Sequence, residues 1–93
     1  MHATIRVYPD HPTLADALAE RQDEVKDVLN GIDGFTAYYL VKTATGAVSV
    51  SVYETAEGSE ESTRAAAAWI RENLSDVGGA APEVFSGDVV IEA

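Results

Sequence analysis

The sequence predicts an α+β domain: a four-stranded antiparallel sheet with two helices on one face, in the order βαββαβ. Three observations predict it. Four short stretches have the period-two alternation or the branched and aromatic enrichment of strands. Two longer stretches carry apolar side chains at three- and four-residue steps, the stripe of an amphipathic helix. A strand, helix, strand order occurs twice, and right-handed crossovers close such a chain into the ferredoxin-like arrangement. With 93 residues, the chain reads as a single domain over residues 1–93.

Each element has a local cause. In residues 2–8, Ala3, Ile5 and Val7 alternate with Thr4, Arg6 and Tyr8, and Pro9 and Pro12 end the strand because proline cannot donate to a ladder. Thr13 opens the first helix, with Asp16 three residues on in a weak capping box. Leu14, Leu18, Val25, Val28, Leu29 and Ile32 form its apolar stripe, and Asn30-Gly31 offers a left-handed stop. Asp33-Gly34 is a second turn signal. Residues 35–42 and 47–54 are strands joined by a four-residue turn, an antiparallel hairpin. After a loop over residues 55–58, Ser59 caps the second helix, and Glu60 and Glu61 suit its N-terminal dipole. Ala66, Trp69, Ile70, Leu74 and Val77 make its stripe. Gly78-Gly79 stops it, and residues 80–82 link to a last strand over residues 83–92, with Gly87 as a bulge or a point of close approach.

Burying the most apolar strand faces under the helices assigns Ile5, Val7, Val48, Val50 and Val52 to the covered side, with Phe35, Ala37, Tyr39 and Val41 and then Phe85, Val89 and Ile91 as companions. The other side then holds Thr4, Arg6, Tyr8, Tyr38, Leu40, Ser49, Ser51, Tyr53, Asp88 and Val90. A one-residue slip exchanges Tyr38 and Tyr39. That mixed face is too apolar for full solvation and too polar for a dry core, which suits a homodimer interface enclosing a partly polar cavity.

Composition excludes several classes. A net charge of −10 repels phosphate backbones and anionic lipid heads, so neither nucleic acid nor a membrane is expected as a partner. With no cysteine, there is no disulfide, thiolate metal site or cysteine nucleophile. No apolar run spans a bilayer and the N-terminus lacks a signal-peptide pattern, so the expected location is cytoplasmic. The acid-rich, lysine-poor balance fits either a cytoplasm of molar salt or an ordinary acidic protein. His2 and His11 have no ligand-spaced companions, and no metal or cofactor is expected. Ser49 and Ser51 have no histidine placed to activate them.

The candidate ligand pocket comprises Arg6, Tyr8, Tyr38, Ser49, Ser51, Tyr53, Trp69, Asn73 and Asp88. Trp69 reads as a core tryptophan or as a wall that stacks on a planar ligand. Asn73, one turn on, bonds a loop backbone or a ligand. Arg6 and Asp88 read as an ion pair, or else Arg6 holds a carboxylate or enolate. Tyr8, Tyr38 and Tyr53 read as interface aromatics, or as hydroxyls that orient a phenolic substrate.

Three stretches carry a resemblance: Gly34-Phe35 with Tyr38-Tyr39-Leu40-Val41, then Val50-Ser51-Val52-Tyr53-Glu54, then Arg64 with Ala67 through Leu74. With the strand order, they resemble the dimeric α/β-barrel superfamily, the antibiotic-biosynthesis-monooxygenase-like group, and within it a set of small uncharacterised microbial proteins. The resemblance implies a homodimer with face-to-face sheets and a pocket between sheet and helices. Some relatives oxidise aromatic polyketides without metal or flavin and others degrade haem. The asparagine and histidine of the haem degraders have no counterpart here: the first strand offers Thr4 and Arg6, and no histidine follows residue 11. Three functions remain open: a small-molecule-binding homodimer taking an aromatic or apolar ligand, a cofactor-independent monooxygenase or isomerase, and a structural or regulatory interaction domain.

Overall fold

The computed structural model describes residues 1–10, 13–74 and 82–93. The elements are β1 (His2–Tyr8), α1 (Leu14–Glu20), α2 (Gln22–Asn30), β2 (Phe35–Lys42), β3 (Ala47–Tyr53), α3 (Ala56–Asn73) and β4 (Glu83–Asp88). The sheet runs β2-β3-β1-β4, with every neighbouring pair antiparallel. This is the predicted ferredoxin-like topology. Val77, Gly78-Gly79, His11 and Pro12 lie outside the described residues.

Several local expectations are corrected. The first helix is two segments that meet at Arg21, whose φ of −118° and ψ of 31° break the helical path. Thr13 precedes α1 without a side-chain cap hydrogen bond. Gly31 ends α2 at a right-handed φ of −73°; the left-handed glycine is Gly34, at φ 83°, in the turn into β2. Residues 55–58 are not a loop. Thr55 is the cap of α3, its Oγ1 accepting from the Gly58 N–H at 3.1 Å, and Ser59 lies buried inside the helix. β4 stops at Asp88 rather than running to residue 92. Gly87 pairs with Ala3 in unbroken register, and a Cβ there would meet nothing within 4 Å. The close approach falls at Gly58, where a Cβ would lie 3.0 Å from both the Asp33 carbonyl and the Tyr53 ring.

The largest correction concerns the sheet faces. The side chains beneath the helices are Thr4, Arg6 and Tyr8 on β1, Ser49, Ser51 and Tyr53 on β3, and Tyr38 and Leu40 on β2. The set Ile5, Val7, Val48, Val50 and Val52 lies on the opposite, uncovered face, together with Tyr39 and Val41. The cause is α3. Its inner side presents Ser59, Ser62 and Thr63, which hydrogen-bond the polar strand residues one by one. Polar groups are cheap to bury once each has a partner. Apolar packing is completed elsewhere under the helices, by Leu14, Ala15, Leu18, Ala47 and Leu74.

Candidate functional site

The site begins with Arg6, which is 2 % exposed. Strand alternation points it at α3, and all five of its N–H groups find hydroxyls. Nε donates to Thr63 at 3.2 Å, Nη1 to Ser49 at 3.1 Å and Ser51 at 3.0 Å, and Nη2 to Ser62 at 2.8 Å and Thr63 at 3.0 Å. Every partner is neutral. Among the described residues no carboxylate forms an ion pair with it. The expected pair with Asp88 is not formed: Arg6 sits opposite Val84 in the β1–β4 register, and Asp88 is an exposed partner of His2 at 3.3 Å. Burial lowers the Arg6 pKa, yet a guanidinium stays protonated at any physiological pH. A positive charge is thus held inside the protein in a cradle of neutral oxygens.

Tyr8, Tyr38 and Tyr53 gather around this charge beneath the helices, not on the open face where the sequence reading put them. Burial pushes all three phenols up, Tyr38 to about 12, while Arg6 pulls each of them back down. The Tyr53 hydroxyl is committed, donating to the Leu29 carbonyl at 3.0 Å, and its ring meets Phe35 edge-on at 5.6 Å. Tyr38 lies opposite Ser51 in the β2–β3 register, on the inward face that also carries Ser49, and both serines accept from Arg6. The Tyr38–Tyr39 ambiguity is therefore resolved: Tyr38 points inward, and Tyr39 is 64 % exposed on the other face.

Between sheet and helices lies a partly enclosed space of about 20 Å³, walled by Arg6, Tyr8, Tyr38 and Trp69 with Leu18 and Val25. That is room for about one water. Leu18, Val25 and Tyr38 also wall a groove of about 330 Å³ between the α1–α2 corner and β2, which opens to solvent past Lys26 and Lys42. Lys42 bridges this groove to Asp16 at 3.0 Å. Trp69 is both core packing and cavity wall, and the Arg21 guanidinium lies 5.1 Å from its ring centroid.

The structure thus brings Arg6, Tyr8, Tyr38 and Trp69 to one cavity. Ser49 and Ser51 stand behind it as supports of Arg6, and Tyr53 is structural. Asn73 is not part of it: it accepts from Arg21 at 3.2 Å and donates to the Trp69 carbonyl at 3.0 Å. The cavity lies under the helices and not at the open face. Sequence reasoning missed Ser62, Thr63, Lys26 and Lys42. The hydroxyls at residues 59, 62 and 63, at three- and four-residue spacing, were the available signal for the first two. Among the described residues no three side chains converge as a metal cage requires, and no helix is long and apolar enough to cross a membrane.

No protein-family model and no curated protein matches the sequence. Solved structures do match the fold. A protein of unknown function from Nitrosomonas europaea, NE2512, superposes with a TM-score of 0.69 at 18 % identity, covering 99 % of this chain and 90 % of that one. Rv0793 from Mycobacterium tuberculosis gives 0.68 at 20 % identity, covering 99 % and 97 %. The ActVA-Orf6 monooxygenase of Streptomyces coelicolor, solved with nanaomycin D, gives 0.63 at 19 % identity, covering 98 % and 91 %. These likenesses establish the fold, and it is the fold that the sequence resemblance implied.

Proposed function

We propose that the chain is a cytoplasmic homodimer that binds a small molecule between its sheet and its helices. One observation carries the binding reading: an unneutralised buried guanidinium stands at the wall of an internal space that shares Leu18, Val25 and Tyr38 as a common wall with an open groove. Proteins seldom bury a charge without an opposite one, because desolvation costs several kcal/mol, on the order of the whole stability margin. A retained charge of this kind beside a cavity marks a site prepared for a ligand.

The dimer reading rests on the uncovered sheet face. Ile5, Val7, Val48, Val50 and Val52 form a continuous apolar layer there, and Tyr39 and Phe85 extend it at 64 % and 54 % exposure. A second copy of the same face is the matching cover. Sedimentation equilibrium should give twice the chain mass, and Val50→Lys should give the chain mass with helix and sheet content retained. A wild-type monomer at tens of micromolar would end the dimer reading.

A second reading is favoured by the likeness to the ActVA-Orf6 monooxygenase. In it, the groove lined by Tyr38 would accept a phenol, and phenol plus O₂ would give a quinone plus water. Tyr38, kept protonated by burial, would donate to the substrate oxygen as negative charge develops there. Oxygen uptake with naphthol-type phenols tests it, with Tyr38→Phe expected to lose most of the rate. Ligand-induced thermal stabilisation without oxygen uptake would leave the binding reading alone. Neither response across a broad aromatic panel would favour the structural or regulatory interaction domain.

A further inference from the structure

The chain has sixteen acidic residues and only two lysines, and both lysines stand at one place. Lys26 on α2 and Lys42 at the end of β2 line the groove between the α1–α2 corner and the sheet. Lys42 is held by Asp16. Lys26 has no ion pair among the described residues. With Asp16 offsetting Lys42, Lys26 leaves the groove lining with one uncompensated positive charge in a molecule of net charge −10, a local reversal of sign. Walls of Ala15, Leu18, Ala19, Val25 and Leu40 make the interior apolar.

The floor of the groove continues the same sign inward. Tyr38 is common to the groove and to the inner cavity that Arg6 lines. Behind it the Arg6 guanidinium is held by Ser49 at 3.1 Å and Ser51 at 3.0 Å. Because all five Arg6 N–H groups are occupied, Arg6 acts on a ligand through its charge.

From these three features we propose that the ligand is a small organic monoanion: an apolar, ring-sized body bearing one oxygen-centred negative charge. It enters past Lys26 and accepts a hydrogen bond from Tyr38 at the base of the groove. The groove, at about 330 Å³, lies at the lower end of the range for small-molecule sites, about 300–1,000 Å³. The charge assignment rests on the small-molecule reading above and sharpens it.

Benzoate and benzamide have nearly the same shape and differ in charge, so paired calorimetric titrations at low ionic strength separate the two claims. The fluorescence of Trp69, the single tryptophan, reports binding next to the cavity. Benzoate should bind about tenfold tighter than benzamide, the discrimination expected of one charge-assisted hydrogen bond. Tyr38→Phe should lower that ratio severalfold, because the carboxylate loses a charge-assisted hydrogen bond where the amide loses only a neutral one. Lys26→Gln, an exposed change that leaves the fold intact, should weaken benzoate alone and flatten its salt dependence. Equal affinity of the two compounds would overturn the monoanion proposal and leave the small-molecule reading standing. Failure of both compounds to bind would overturn both.

Discussion

Arg6 illustrates how a single residue can be satisfied and still exert force on its surroundings. Its donors are all used, yet its charge is unopposed by any described carboxylate. Ser51 is fully buried and holds one of those donors at 3.0 Å. Ser51→Ala should therefore cost about 1.5–3 kcal/mol in urea unfolding, the range for a hydrogen bond to a charged group left unmade. Little or no loss would mean that the cradle is slack. The tyrosines give a matching pH signature. Burial raises the phenol pKa of Tyr8, Tyr38 and Tyr53 above the unfolded value of 10.0, Tyr38 to about 12. The unfolded chain then loses these protons first. This contribution is fully present below pH 10 and is lost as the pH rises toward 12. Unfolding monitored across that window should show stability falling, and falling less steeply in Tyr38→Phe.

Among the elements, α3 decides most. Thr55 caps it, and Gly58 lets it sit against the Asp33 carbonyl and the Tyr53 ring. An alanine at residue 58 would ordinarily favour a helix by about 1 kcal/mol. Here its Cβ would come within 3.0 Å of a backbone oxygen and a buried ring, neither of which has room to retreat. Gly58→Ala is expected to destabilise the protein by about 1–3 kcal/mol, read as a lower denaturation midpoint. An unchanged or raised midpoint would show that the packing there relaxes. The break between α1 and α2 is a second decision taken at this level. Arg21 reaches α3 from the corner, contacting the Trp69 ring, the Asn73 carbonyl and Asn73 Oδ1. A continuous apolar stripe over residues 14–32 carries no mark of that bend, because the stripe persists across it.

For the whole molecule, surface charge and the open face dominate. Ion pairs such as Arg64–Glu61 at 2.7 Å and Lys42–Asp16 at 3.0 Å are exposed and contribute little. Sixteen acids on so small a chain repel one another instead. Raising KCl from tens of millimolar to molar should increase the unfolding midpoint, as the screening length falls to about 3 Å. A flat response would remove charge repulsion as a significant term.

The first three strands and the hairpin turn were legible in the sequence. β1 and β2 end where alternation and turn residues say they end, because those signals are local. Four of the candidate site residues, Arg6, Tyr8, Tyr38 and Trp69, were legible as chemistry for the same reason. Which sheet face the helices cover was not. Both faces of β1 and β3 carry a coherent set of side chains, so alternation alone is symmetric between them. The choice was made by Ser59, Ser62 and Thr63, more than fifty residues from Arg6 in the chain, whose hydroxyls turn a costly polar face into a satisfied interior. The sequence by itself determined the four strands, their order and the topology, because those follow from local pattern and chain connectivity. Only the tertiary structure decided the inward face, the arginine cradle and the groove with its two lysines, because the free energy of burying a polar group depends on partners that the chain brings from far away.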